Sequence, residues 1–142
     1  MDKKKFIQSY IKSSERRIKY CNLALKEKDY AYIVRETQMI VELCTKALLN
    51  KYSFVVPKEH ELSSELEECL ELFSDDFQKN FAALKKFSKK LRRQREISVY
   101  GVPESDQVPE ELYTKEVAED YLGKTLNFLN VTKKELNDYL TD

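Results

Sequence analysis

Residues 30–51 read YAYIVRETQMIVELCTKALLNK, and the prediction of the fold starts from these residues. Its apolar residues recur at three and four positions, the spacing of one helix face, and they fill two adjacent stripes. One stripe contains Val34, Val41, Cys44 and Leu48, and the next contains Ile33, Ile40 and Ala47. A helix that is apolar over so wide an arc is packed by several neighbours. We therefore predict a central helix over these residues.

The same periodicity on both sides predicts the surrounding helices. We expect a first helix over about 4–27, ending at Lys28-Asp29. Further along the chain we expect a third helix from Leu62 to Phe73, a fourth from Phe77 to Leu91 capped by Ser74 or Asp75, and a fifth beginning near Pro109 or Leu112. Thr132 to Glu135 has the spacing of a capping box, which predicts a short terminal helix with Leu136, Tyr139 and Leu140.

Length and composition agree with one helical domain. The chain has 142 residues with only two glycines and three prolines, which disfavours a sheet with many tight turns. A chain of this size buries a single core. We predict an all-α protein, one domain over residues 1–142, built as an up-and-down antiparallel bundle of four to five helices plus a short C-terminal helix.

Charge and cysteine usage exclude several classes. Lys plus Arg and Asp plus Glu number 25 each, so the chain is neither a wholly basic nucleic-acid coat nor an acidic tail. No apolar run suggests a signal peptide or a membrane span, and we expect a cytoplasmic protein. Cys21, Cys44 and Cys69 occupy apolar helical positions, as buried free thiols do. No metal site or cofactor site is predicted, because no ligand spacing or glycine-rich phosphate loop is present.

Charge is nevertheless segregated between two helices. Acidic residues cluster in the third helix and its flanks, whereas one arc of the fourth helix contains Lys85, Lys86, Lys89, Lys90, Arg92 and Arg93. Two interpretations remain open. The arc either forms weak surface ion pairs with the acidic helix or provides a track for a phosphate backbone.

The basic arc leads into residues 92–101, RRQREISVYG. Arginines where a helix ends are often a solvated cationic end that complements the helix dipole. They are also suited to gripping phosphate, since a guanidinium donates in a fixed fork. On the second interpretation the phosphate-binding candidates are Lys86, Lys89, Arg92, Arg93 and Arg95.

The order of these features resembles the HEPN family, small helical proteins of prokaryotes that often accompany a minimal nucleotidyltransferase. The resemblance covers about residues 5–130. It rests on four features: Asp29-Tyr30 opening the second helix, Gln38 to Leu49 with the run ELCTKALL, Pro57 with His60 before the third helix, and the arginines ending the fourth. The resemblance implies a helical homodimer with a nucleotidyltransferase-type partner.

The resemblance also implies a candidate catalytic site. Active HEPN ribonucleases have an arginine, a polar residue and, after a short gap, a histidine. Arg95 matches the arginine and Glu96 the polar residue, while Tyr100 stands where the histidine would be. An imidazole suits proton transfer at neutral pH, whereas phenols, with a pKa near about 10, are almost entirely protonated there. Tyr100 could donate to phosphate but would be a poor base.

His60, the one histidine, lies beside Pro57, and we expect it to be structural at the start of the third helix. Two functional hypotheses follow. The first is a homodimer that binds RNA or a nucleotide phosphate, works with a nucleotidyltransferase and lacks full catalysis. The second is a metal-independent endoribonuclease of a toxin–antitoxin pair that uses Arg95 and Tyr100. A helical scaffold without phosphate affinity is a third possibility.

Overall fold

A computed structural model describes residues 2–52, 58 and 61–141 of the chain. It confirms the all-α class, since four helices of 20 or more residues build a bundle and the rest of the described chain adds short helical turns. The helices are α1 (Lys3–Lys26), α2 (Tyr30–Lys51), α3 (Ser63–Glu68), α4 (Asp75–Gln94), α5 (Ile97–Tyr100), α6 (Pro109–Leu112), α7 (Lys115–Glu135) and α8 (Asn137–Leu140).

Helix α2 is the centre of the bundle, as its sequence predicts. Ile33, Val34, Ile40, Cys44 and Leu48 are fully buried although they lie on different stripes. The helix packs against α1 and α7 most extensively and also contacts α3, α4, α5 and α6. The wide apolar arc is therefore used on several sides at once.

Two contacts at one end of the bundle fix the direction of three helices. Nζ of Lys51, the last residue of α2, donates to the carbonyl oxygen of Glu135, the last residue of α7, at 2.8 Å. The Glu135 carboxylate accepts from the backbone N–H and the hydroxyl of Ser74, at 2.7 and 2.8 Å. Helix α4 thus begins where α2 and α7 end, and it runs antiparallel to both.

Helix caps account for the boundaries that the sequence predicts well. The Asp29 side chain accepts from the N–H of Tyr32 at 3.2 Å, and the preceding Lys28 has a left-handed backbone with φ 60°. Ser74 caps α4 by accepting from the N–H of Phe77 at 3.2 Å. Each side chain satisfies a backbone donor that the first turn of a helix leaves unpaired.

Other predicted boundaries are wrong. The third helix stops at Glu68 and continues only as a 3-10 turn over Leu70–Leu72. Near Pro109 there is only the single turn α6, and the long fifth helix begins later, where Thr114 caps α7 by accepting from the Val117 N–H at 3.2 Å. The predicted short terminal helix is present as α8, but Thr132 does not cap it, because Thr132 lies buried within α7. Its spacing to Glu135 is also that of two residues on one helix face.

The sequence also predicts an extended connection from Tyr52 to Pro57. Residues 53–57 of that connection, and His60 with its expected structural role, lie outside the described residues.

Candidate phosphate-binding site at the end of helix α4

The solvent face of α4 holds a group of four exposed cations, namely Lys86, Lys89, Arg92 and Arg93. We call this group the basic strip. Within the described ranges none of the four takes part in an ion pair. Lys85 behaves differently, because its Nζ lies 2.7 Å from Oε2 of Glu67 in α3. The ion-pair interpretation therefore holds for Lys85, and the basic strip presents its charge to solvent.

Arg95 follows directly after α4 and is aimed partly inward. Its Nη1 is buried and lies 3.7 Å from Oε2 of Glu42 in α2, too far for a hydrogen bond but within ion-pair distance. The Arg95 side chain keeps 30% of its surface exposed. A guanidinium has five N–H donors, so the pairing of Nη1 leaves other donors for a second anion.

Glu42 is a buried carboxylate in the middle of α2 that two cations approach. Besides Arg95, it contacts Lys46 one turn along α2, with Nζ to Oε1 at 3.5 Å. Removing carboxylates from water is costly unless cations compensate for the lost hydration. Glu42 therefore attracts the Arg95 guanidinium towards α2. Sequence reasoning missed this role, because only the Glu42–Lys46 spacing is visible without the fold.

Arg95, Glu96 and Tyr100 lie close in sequence, but no described contact joins the side chains of Arg95 and Tyr100. Glu96 is exposed, and its carbonyl oxygen accepts from the Tyr100 N–H at 2.8 Å as α5 begins. Tyr100 is 74% exposed. The Arg95 side chain is thus partly buried against α2, whereas the Tyr100 side chain, at the other end of the short helix α5, is exposed to solvent.

Gly101 ends α5 in a conformation that excludes side chains. Its φ is 74°, and a Cβ added there would lie 2.2 Å from the carbonyl oxygen of Gln107. Val102 and Gln107 pair as an antiparallel bridge around the turn that follows. The chain therefore turns sharply directly after α5, at a position that requires glycine.

Tyr113 is a second residue that sequence reasoning missed. Its hydroxyl donates to Oε1 of Gln94, the last residue of α4, at 2.7 Å. Burial raises the pKa of Tyr113 to about 12, so the phenol stays protonated at neutral pH and acts as a donor. This bond links the segment before α7 to the helix end that presents Arg95.

The three cysteines are buried free thiols, as predicted. Burial is the main cause that raises the pKa of both Cys21 and Cys44 to about 12, which leaves them protonated and poor nucleophiles.

In the described part of the chain no group of three or more His, Cys, Asp or Glu residues could hold a metal ion. No described helix is both long and apolar enough to cross a membrane.

Comparison with known proteins agrees with this architecture. The family model for the HEPN domain matches residues 7–136. Proteins with this domain are generally RNA-binding or ribonuclease-like. No match emerged among curated proteins or among solved structures. Because the matched region includes almost all of the four long helices and the whole of the Arg95 site, the chain belongs to the HEPN domain family.

Proposed function

We propose that this HEPN protein binds RNA or a nucleotide phosphate at the end of α4 and works as a homodimer with a nucleotidyltransferase partner. The observation that carries the proposal is the basic strip. Its four cations are exposed and lead along one helix face to Arg95, which Glu42 attracts towards α2. Cations without protein partners are available to replace the counterions of a phosphate backbone.

Arg95 and the basic strip have different tasks in this proposal. The strip supplies charge that attracts any phosphate backbone, whereas Arg95 is positioned before the ligand arrives. A pre-positioned guanidinium loses less side-chain entropy on binding and can grip a phosphate with two parallel hydrogen bonds. The strip should govern salt dependence, and Arg95 should govern affinity for a single phosphate group.

We propose further that full catalysis is absent. Cleavage through the 2′-hydroxyl needs a base near neutral pH, and Tyr100 offers a phenol. The alternative is a metal-independent endoribonuclease of a toxin–antitoxin pair, with Arg95, Glu96 and Tyr100 as catalytic residues. Its support is the placement of all three within one segment beside the basic strip. Incubation of labelled RNA with the protein in EDTA distinguishes the two, because only the ribonuclease produces cleavage products.

A salt titration tests the binding proposal directly. The dissociation constant for a single-stranded RNA should rise with salt. The logarithm of the association constant should fall by about 0.7 per phosphate contact for each unit of log salt concentration. Arg92→Ala and Arg93→Ala should each reduce this slope. Arg16→Ala is the matched control, since Arg16 is an exposed arginine on α1 and not part of the strip. A slope that is the same in all four proteins contradicts the proposal.

The homodimer is tested separately. A twofold dimer repeats one surface patch and could bring two Arg95 sites into a shared cleft. Light scattering at micromolar protein should give twice the chain mass of 16.8 kDa. A monomer at that concentration rules out the dimer but leaves phosphate binding to be judged by the titration.

The three buried free thiols suit a reducing cytoplasm, where we place the protein.

A further inference from the structure

Helices α4 and α7 leave an open groove between them. Both helices contact α2, and α2 and α7 meet far more extensively than α4 and α7 do. The groove has a volume of about 630 Å³, which lies within the range of small-molecule sites. Its apolar lining includes Phe77, Leu84 and Phe87 from α4 and Phe128 and Val131 from α7.

Gly123 in the middle of α7 opens this groove further. Glycine is among the least favourable residues inside a helix, and here neither a positive φ nor a close neighbour requires it. No atom lies within 4 Å of the position that a Cβ would occupy. Because Gly123 lines the groove, a larger side chain there would take up groove volume. The glycine thus keeps space open where α4 and α7 face each other.

The two ends of the groove differ in charge. The end near Phe77 and Phe128 has only the neutral polar residues Asn80 and Asn127. The other end is lined by Lys86, Lys90, Glu119, Asp120 and Lys124.

Pairing within the charged end leaves an excess of positive charge. Nζ of Lys124 pairs with Oδ2 of Asp120 at 3.0 Å. Nζ of Lys90 lies 5.2 Å from the centre of the Tyr121 ring, and Lys86 has no ion pair within the described ranges. Two lysines on the α4 side therefore face one carboxylate, Glu119, on the α7 side.

We propose that this groove binds an anionic amphiphile, with its apolar body along Phe77, Leu84 and Phe128 and its acidic head at Lys86 and Lys90. The groove extends from the level of Phe77 to that of Lys90, about 20 Å at 1.5 Å of rise per residue. That length suits an extended acyl chain with a carboxylate at one end. This site shares Lys86 with the basic strip but does not include Arg95, and its apolar part is independent of the proposed phosphate site.

Fluorescence titration with dansyl-undecanoate, an acyl carboxylate with a polarity-sensitive dye, tests the proposal. Emission should increase with saturation at one probe per chain. Dodecanoate should displace the probe at concentrations at least tenfold lower than dodecanol or dodecylamine, which share its chain length but not its charge. Equal displacement by all three would overturn the assignment of the acidic head.

Two variants of Gly123 place the probe in the groove. Gly123→Leu should lower probe affinity at least tenfold by filling the groove, while Gly123→Ala, which adds one methyl group, should retain most of it. Both should fold, because the position faces open space, and thermal unfolding checks this. RNA binding should be unchanged in both, which separates this site from the Arg95 site. Probe binding equal to the parent in Gly123→Leu overturns the groove assignment.

The competing occupant is a second copy of the chain. Light scattering on the parent, Gly123→Ala and Gly123→Leu decides between the two. An unchanged molecular mass in all three proteins supports the amphiphile. A dimer that becomes monomeric only in Gly123→Leu, with no probe bound to the parent, identifies the groove as a subunit interface and overturns the proposal.

Discussion

Nη1 of Arg95 lies 3.7 Å from Oε2 of Glu42, which joins the end of α4 to the middle of α2. Glu42 is buried, while the Arg95 side chain is partly exposed. The pair therefore connects the core to a surface that can meet a ligand. We expect Arg95 to affect both stability and phosphate binding, so the two effects have to be measured by different experiments.

The first prediction concerns stability. In urea unfolding, the Arg95→Ala and Glu42→Gln variants should show a coupling energy of about 0.5–1 kcal/mol, because each removes one member of a partly exposed ion pair. Arg93→Ala is the control. Arg93 is exposed and has no ion pair in the described ranges, so its substitution should change stability by less than about 0.5 kcal/mol and should not couple to Glu42. Additive effects of the first two substitutions would show that the contact contributes nothing.

The second prediction concerns phosphate affinity. Arg95→Ala should weaken RNA or nucleotide binding by about 10- to 150-fold, the equivalent of one charge-assisted contact worth about 1.5–3 kcal/mol. Arg95→Lys keeps the charge but loses the fork, so it should not restore affinity. The dissociation constants are measured at one fixed salt concentration. If Arg95→Ala binds as well as the parent, Arg95 is only a structural residue.

The third prediction concerns RNA cleavage, which needs a base that Tyr100 does not supply. Tyr100→His should create or strengthen RNA cleavage in EDTA, because an imidazole transfers protons near neutral pH and the position is exposed enough to accept it. Cleavage products are followed on gels. The Arg95→Ala/Tyr100→His double variant is the control and should be inactive. A Tyr100→His protein that folds but cleaves no RNA would show that these residues do not form a catalytic site.

The fourth prediction concerns alkaline pH. Cys21 and Cys44 have pKa values of about 12 in the folded protein against 9.0 for an unperturbed cysteine thiol, so the folded chain keeps protons that the unfolded chain loses. Stability should therefore be intact below pH 9 and fall as pH rises from 9 towards 12, with a limiting slope of about 1.4 kcal/mol per pH unit for each thiol.

Replacement of the cysteines checks that origin. Changing Cys21, Cys44 and Cys69 to Ala should lower stability at neutral pH by up to a few kcal/mol, because core volume is lost. The same variant should lose less stability between pH 9 and 12 and should bind RNA as the parent does. An equally steep alkaline loss would assign the effect to other groups, and loss of binding in the folded variant would reveal a role for the thiols.

The fifth prediction contrasts the two glycines. Gly123→Ala should stabilise the protein by about 0.5–1 kcal/mol, because alanine favours the helix and its Cβ meets open space. Gly101→Ala should destabilise the protein by about 1–3 kcal/mol, because φ is positive and the Cβ would overlap the Gln107 carbonyl oxygen. Thermal unfolding measures both. Effects of the same sign would contradict the turn and groove geometry.

Local chemistry made much of the fold predictable. The centre of the bundle follows from the wide apolar arc of α2, and the starts of α2 and α4 follow from Asp29 and Ser74, whose side chains satisfy nearby backbone donors. The capping-box prediction at Thr132 failed because the same residue spacing occurs inside a helix. In the structure α7 continues past Thr132 to Glu135, and Thr132 is buried there. That outcome depends on packing between helices, which the local spacing does not encode.

Periodicity within single segments was sufficient to predict the all-α class, the central helix, the burial of the three cysteines and the segregation of basic charge onto α4. Packing of the helices decides which of those charges form ion pairs. It pairs Lys85 with Glu67, leaves the basic strip exposed, and draws Arg95 onto Glu42. Those outcomes depend on contacts between residues far apart in the chain, and only packing brings such residues within a few ångströms of each other.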